Sequence, residues 1–459
     1  MGKYICKRCG EEFNQKSHYD KHINRKRPCK DKAVIIQNLV EQKVEEEIEK
    51  LVPQFGQLSK TLTKNLDKKI KKKQGIFFTP YNIIKKAIDI VIDYCSDENI
   101  SIIDVLEPSC GSCEFIKYIN HQFYNINIDG IEYNDKIYNT IKDIKFSLEN
   151  NVNLIHMDYL KYNNNKEYDF IVGNPPYFVM KKDEVDKEYN KYYDGRPNIF
   201  SIFIIHSLFK LKENGILLFI LPKSFCNCLY YNKLRVYINQ NYKIIDIIDC
   251  SNEKYLDTSQ DTIIFILQNK KEDNSNFVYD NNGSVLFNTK DNINIIKELY
   301  KDSTTLEKLN FNVKVGNTVW NQCKDILTDN DTYTRLIYSG DIKGNKLDIT
   351  EYKNEKKKNY IKSEGIKNPI IVVNRGYGIG TYNFNYCIVD IDKEYLIENH
   401  LIIIEYKDKI DKIELLEKFK LIKESFENKK TKGFIELYCC NSALNCKELH
   451  KVLPIYIFK

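Results

Sequence analysis

The sequence predicts a doubly wound, Rossmann-like α/β sheet with a small module ahead of it and a mixed α+β region behind it. Three observations carry this. Between Gly75 and about Asn269, apolar runs of strand length alternate with helical patterns. Residues 4 to 29 space two cysteines, a histidine and a third cysteine in the manner of a metal-held mini-domain. Beyond about Tyr300 the alternation gives way to short β-like segments with polar turns. The expected division is 1–30 for the small module, 31–74 for a helical basic linker, 75–270 for the α/β domain and 300–459 for the C-terminal domain.

The 459 residues, 42% of them hydrophobic, suffice for several cores. No run of eighteen apolar residues and no N-terminal apolar stretch of the secretory kind appear, so an intracellular protein is expected. The 14 cysteines lack framework spacing and read as reduced thiols outside the metal pattern. The net charge of +6 accompanies abundant Lys, Asn, Ile and Tyr, a drift typical of AT-rich coding, so only locally concentrated charge points to a partner.

The first module reads Tyr4-x-Cys6-x2-Cys9-x3-Phe13-x5-Tyr19-x2-His22-x6-Cys29. So short a segment cannot bury enough surface to fold alone, and four ligands around one Zn(II) supply the missing stability. Cys6, Cys9, His22 and Cys29 are the candidate ligands, with Phe13 and Tyr19 as the core; the gap to Cys29 is longer than usual, and His18 is a substitute that would face away if Tyr19 faces in. The pattern resembles a C2H2-type zinc finger in its C2HC form. Its ending, Asn-Arg-Lys-Arg-Pro-Cys, is similar to fingers in proteins of large DNA viruses. Lys16, Lys21, Arg25, Lys26 and Arg27 favour phosphate contacts, against a solvated basic helix docking a partner.

In the linker, Ile36, Val40, Val44, Ile48 and Leu51 recur at helical spacing and stop at Pro53, predicting one amphipathic helix. The cluster Lys68, Lys69, Lys71, Lys72 and Lys73 fits phosphate contact, a nuclear address or a solvated helix end.

The α/β domain holds the chemistry, because ligands in such sheets bind beyond the carboxyl ends of the strands. The strand Ile102–Leu106 runs into Glu107-Pro108-Ser109-Cys110-Gly111-Ser112-Cys113, a small-residue turn opening a helix. The next strand ends at Glu132, about twenty residues on, where a carboxylate grips ribose hydroxyls. A third ends near Asp158, placed to accept from an adenine amino group. The fourth, Asp169-Phe170-Ile171-Val172-Gly173, delivers Asn174-Pro175-Pro176-Tyr177. Asn174 offers an amide oxygen and Pro175 a carbonyl aimed by a fixed backbone, two acceptors suited to a planar NH2 group, while Tyr177 covers its flat face. Cys110 and Cys113 also have the spacing of half a zinc or redox site, but no matching pair lies nearby.

With the upstream Gly75-Ile76-Phe77-Phe78-Thr79-Pro80, these motifs resemble the gamma-class, TaqI-type N6-adenine DNA methyltransferases, and the resemblance runs from Gly75 to the C-terminus. It implies S-adenosylmethionine as cofactor, with Thr79 and the turn of Glu107, Cys110 and Gly111 at the methionine part, Glu132 at the ribose and Asp158 at the adenine. It implies catalysis by Asn174, Pro175, Pro176 and Tyr177. Cys113 stands where the family usually has Gly. An adenine N6 lone pair is delocalised; accepting bonds from both amine protons frees it for in-line attack on the sulfonium methyl, with no covalent enzyme intermediate. The base must flip out of the duplex and stack on Tyr177, with Tyr255 as candidate for the opposite face.

The C-terminal region resembles the target-recognition domain of the same enzymes. Arg375, beside a glycine-rich turn, is the candidate DNA contact; His400 reads as a buried structural hydrogen-bonder and Trp320 as core. The same clamp occurs in enzymes acting on RNA bases or protein glutamine, and a non-catalytic DNA-binding relative would keep the fold; the finger and the C-terminal domain favour duplex DNA. No nuclease motif is seen, so modification without cleavage by a monomer is expected, with a separate cognate restriction endonuclease as a conceivable partner, in cytoplasm or in the nucleus of a host cell if viral.

Overall fold

The computed structural model describes residues 4–6, 8, 11–24, 54–147, 149–258, 260–352, 357–375, 382–439 and 444–457. The expected linker helix around Ile36 to Leu51 lies outside them, as do Cys9, Arg25, Lys26, Arg27 and Cys29.

The N-terminal module pairs β1 (Tyr4–Ile5) antiparallel with β2 (Glu12–Phe13) and packs α1 (Lys16–Ile23) on them. The Phe13 ring lies 4.9 Å from His22 and 6.1 Å from Tyr19 between centroids, so Phe13 and Tyr19 form the small core the spacing implied. Cys6 and His22 are buried.

Two short helices, α2 (Gln57–Asn65) and α3 (Lys68–Gln74), lead into α4 (Tyr81–Glu98) and the large sheet. The turn from α3 is made by Gly75 in the left-handed region, φ 63°. The sheet is built from β3 (Asp104–Glu107), α5 (Glu114–Gln122), β4 (Asn127–Glu132), α6 (Asp135–Ile141), β5 (Asn151–His156), β6 (Tyr168–Gly173), α7 (Ile199–Leu208), β7 (Leu211–Pro222), α8 (Asn232–Asn241), β8 (Lys243–Asp249) and β9 (Thr262–Gln268). Its strand order is β5-β4-β3-β6-β7-β9-β8, parallel throughout except that β9 runs antiparallel to both neighbours.

The two-residue period of the strands divides the core. Phe170, Val172 and Leu218 face α4 and α5, packing with Ile84, Ile88 and Ile116. Ile171, Leu217 and Phe219 face the other side and meet Phe200, Ile204 and Leu208 of α7. Nine of the ten residues of α7 are buried, so this helix is apolar all round and lies deep between the sheet and the outer segments. Arg235 of α8, fully buried, donates to the carbonyls of Phe225, Asn227, Cys228 and Val285, holding the chain after β7 against the hairpin of β10 (Val278–Asn281) and β11 (Ser284–Phe287).

The C-terminal region carries two four-stranded sheets. In one, Phe311–Val315, Leu401–Tyr406, Ile370–Asn374 and Tyr386–Val389 are neighbours in that order, all antiparallel; in the other, Leu327–Thr328, Tyr360–Ile361, Thr334–Ile337 and Tyr395–Ile397. The helices Lys412–Glu427 and Lys429–Cys439 cover the first sheet, sharing a core of Phe311, Ile371, Ile402, Phe419 and Phe434. That core also takes in Leu286, Ile293 and Ile296, so it recruits residues ahead of 300. Trp320 packs against the cluster of Leu336, Tyr338 and Ile361. No helix among the described residues is long and apolar enough to cross a membrane.

Candidate active site

The carboxyl ends of β3, β4 and β6 converge on a cavity of about 770 Å³. Gly111 and Pro108 of the first turn, Glu132 after β4, Asp158 after β5 and Asn174 with Pro176 after β6 all line it. Residues 72–78 close it from above. A smaller recess beside it is lined by Thr79, Glu107, Cys110, Gly111 and Asn174.

The first turn is held by the end of β4, through backbone and side chain. Cys110 N–H donates to the Ile131 carbonyl over 2.8 Å, and Gly111 N–H donates to Glu132 Oε2 over 2.9 Å. Cys113 opens α5 with φ 61°, a left-handed backbone, and is completely buried. A left-handed residue is required there, which is why glycine suits the position. The hydrogen bond with Cys113, together with burial, holds the Cys110 thiol well above its usual range, so it stays neutral.

Glu132 also accepts from Asn134 N–H over 2.6 Å, so each carboxylate oxygen already takes one backbone hydrogen bond and keeps a lone pair for a ligand. Burial outweighs these bonds and pushes its pKa up to about 7. Glu107 lies deeper. Burial, reinforced by Cys113, raises its pKa well above normal, and its Oε2 has no hydrogen-bond partner. A buried acceptor without a donor is costly, and a cationic or N–H-bearing ligand in the adjoining recess would satisfy it. Asp158 lines the cavity; its Oδ1 accepts from Leu160 N–H over 3.1 Å and its Oδ2 lies 4.0 Å from Lys161 Nζ.

The orientation of Asn174 is fixed by its neighbours. Its Nδ2 donates to the Phe77 carbonyl over 3.2 Å and to Thr79 Oγ1 over 3.1 Å. A carbonyl only accepts, so the NH2 must face Phe77 and the amide oxygen must face the other way. There it receives the Tyr177 hydroxyl over 2.7 Å. The Phe77-Phe78-Thr79 segment therefore holds the clamp, a link the spacing alone does not reveal. Ser109 Oγ donates to the Asn174 carbonyl over 3.1 Å, joining the first turn to the clamp.

Not every expected side chain faces the cavity. Pro175 is buried, and Tyr177 turns inward, its ring edge-on to Phe200 at 6.0 Å. Tyr255 packs against the sheet core, its hydroxyl 3.0 Å from Thr262 Oγ1. The aromatic side chains lining the cavity include Phe178 and Phe203, which sequence reasoning missed; Phe178 directly follows the motif, and Phe203 is hidden in the apolar run of α7. Arg375 lies apart in the C-terminal region, exposed, with its N–H on the His400 carbonyl at 2.9 Å and Nη1 on the Asn399 carbonyl at 3.0 Å. His400 contacts the buried Glu398, but its own side chain is 37% exposed, so it is a hydrogen-bonder without being buried. Among the described residues no group of three metal-ligating side chains occurs; of the expected zinc ligands only Cys6 and His22 are described.

A parallel sheet of this order with one reversed strand, and a cavity edged by acidic strand ends, define the S-adenosylmethionine-dependent methyltransferase fold. Comparison with known proteins narrows this. Residues 29–256 match the family described as Eco57I restriction-modification methylase. The chain is 25% identical over 390 residues to the type II methyltransferase M.CvrRI of Paramecium bursaria Chlorella virus XZ-6E, covering 83% of this chain and 94% of that one. It is 26% identical over 391 residues to the modification methylase CviBIII of Paramecium bursaria Chlorella virus NC1A, covering 84% and 94%. Among solved structures, the DrdV–DNA complex aligns over 84% of this chain and 55% of that one, with 12% identity and a TM-score of 0.48. Over most of its length the chain is similar to type II restriction-modification methylases.

Proposed function

We propose that this chain transfers a methyl group from S-adenosylmethionine to the N6 amine of an adenine flipped out of duplex DNA. The observation that carries the reading is the fixed amide of Asn174: with Nδ2 consumed by Phe77 and Thr79, only an acceptor remains for a substrate NH2. The Tyr177 hydroxyl lies within reach of both Asn174 Oδ1 and the Ile220 carbonyl, at 2.7 and 2.8 Å, so its O–H can turn to donate to Ile220 alone and release the amide oxygen. Asn174 and the Pro175 carbonyl then accept both amine protons and free the nitrogen lone pair. Phe178 and Phe203, which line the cavity, offer apolar faces to the base in place of the Tyr177 and Tyr255 rings first considered, which pack inward.

The cofactor, when bound, supplies an activated sulfonium methyl. Glu132 would hold its ribose, Asp158 its adenine, and Thr79, Glu107, Cys110 and Gly111 its methionine part; the partnerless Oε2 of Glu107 fits an ammonium group. The C-terminal region, with Arg375, would contact DNA, and the similarity to viral and bacterial modification methylases supports DNA as the substrate. In the N-terminal module, Cys6, Cys9, His22 and Cys29 would hold Zn(II); the buried Cys6 and His22 on a ββα frame support this. Metal analysis of the purified chain with and without Cys6→Ser tests it, and metal-free wild type retaining its fold would refute it.

Incubation with tritiated S-adenosylmethionine and DNA, RNA or protein separately tests the main reading. Label in DNA as N6-methyladenine, lost in Asn174→Ala, is expected. Label confined to RNA or protein, or none, overturns it.

A further inference from the structure

The helix α3 roofs the cavity and is tied down at three places. Gln74 Oε1 accepts from Asn134 Nδ2 over 2.7 Å, beside Glu132. Gly75 meets the clamp so closely that a Cβ there would lie 2.5 Å from Tyr177 N. Lys71, only 6% exposed in a helix of otherwise outward lysines, donates to the Thr63 carbonyl over 2.7 Å and forms an ion pair with Asp257. Asp257 belongs to the segment between β8 and β9 that carries Tyr255.

Burying an ammonium costs desolvation that a solvent-facing lysine avoids, so its place inside the roof calls for a reason. The segment it grips has other anchors: Asn82 Nδ2 donates to Glu253 Oε2 over 2.6 Å and Gln54 Nε2 to the Lys254 carbonyl over 3.4 Å. Neither Asn82 nor Gln54 lines the cavity, whereas Lys72, Lys73 and Gln74, the residues directly after Lys71, do. Lys71 is therefore the anchor whose own helix lines the larger cavity, whereas the helix of Asn82 reaches only the smaller recess, through Ile84.

We propose that Lys71 is a positioning residue that couples the cofactor site to the 252–258 segment, so that filling the cavity beneath α3 orders the wall beside the clamp before the target base arrives. This rests on the cofactor assignment above but not on the identity of the methyl acceptor. When ligand steadies α3 through Asn134 and residues 72–74, the ion pair transmits that order to Asp257; by reciprocity, a steadied segment tightens cofactor binding by the same factor.

Hydrogen exchange of the full chain with and without S-adenosylhomocysteine tests it. In the wild type the ligand should slow exchange in both α3 and residues 252–258, the latter by about fivefold or more. In Lys71→Met and in Asp257→Asn, protection of α3 by the ligand should persist while the added protection of 252–258 disappears. In Asn82→Ala, exchange of 252–258 should rise equally with and without ligand, leaving the ligand effect intact. The inference is overturned if 252–258 gains no protection in the wild type, or gains the same protection in Lys71→Met and Asp257→Asn. Failure to methylate DNA while these exchange patterns hold overturns only the preceding reading.

Discussion

The hydroxyl of Tyr177 lies 2.7 Å from Oδ1 of Asn174, so one of the two lone pairs of the oxygen proposed to grip a substrate amine already has a donor within reach before substrate arrives. Tyr177→Phe removes that competitor but also a partner of the Ile220 carbonyl, and its kcat should fall less than about tenfold. Asn174→Ala removes an acceptor that matters most in the transition state and should lower kcat by about 10²-fold or more. In Asn174→Asp a carboxylate oxygen would face the Phe77 carbonyl, so the KM for S-adenosylmethionine should rise as well. Single-turnover methyl transfer at varied cofactor concentration separates the three.

If Glu132 holds the cofactor ribose as proposed, it makes cofactor binding pH-dependent. Its pKa is raised from 4.5 to about 7 by burial, so between those values the folded chain keeps a proton that the unfolded chain has released. Its contribution to stability therefore falls as pH rises through that window. Ribose hydroxyls need an acceptor, so S-adenosylhomocysteine should bind more tightly as pH climbs through about 7. Titration calorimetry from pH 6 to 8.5 reads this directly. Glu132→Gln should flatten the profile while weakening binding, because an amide NH2 cannot accept the backbone N–H of Gly111 or Asn134.

Cys113 tests the cost of a left-handed side chain. Replacing it with glycine relieves about 1 kcal/mol of backbone strain but loses a similar amount of buried contact, so the midpoint of denaturation should barely move. Cys113→Ala keeps the strain and loses the sulfur, costing about 1 kcal/mol. Cys113→Val adds β-branching at φ 61° in a completely buried site and should cost more than about 2 kcal/mol. Urea denaturation of the three variants ranks them.

Gly75→Ala should harm activity more than stability. A left-handed alanine costs about 1 kcal/mol, but its methyl must displace the backbone of Tyr177. The expected result is a shift of a few degrees in Tm with kcat down by about tenfold or more, since about 1 Å of misplacement can cost 10²-fold. Differential scanning calorimetry beside activity measurement checks the imbalance.

Much of the sheet was readable because buried parallel strands are short apolar runs and their ends carry the polar residues that do chemistry. Glu132, Asp158 and Asn174 fall on one cavity as their positions after strands imply. The reversal of β9 has no local signature, since Thr262–Gln268 is apolar on both faces whichever way it runs. The inward turn of Tyr177 depends on Ile220, 43 residues away, and the burial of Lys71 on Asp257, 186 residues away. Both are decided by tertiary partners, and a run of lysines looks solvated until one of them is found paired.

The backward course of β9 has a consequence for how such chains diversify. Because β8 and β9 meet in a hairpin at the rim, instead of through a helix crossing the sheet face, the 250–261 stretch can be lengthened, shortened or rewritten while every interior strand keeps its register. Novelty in what is grasped can thus accumulate at that border so long as Asp257 is spared, the residue through which this stretch is tied to Lys71 and the methyl donor's cavity.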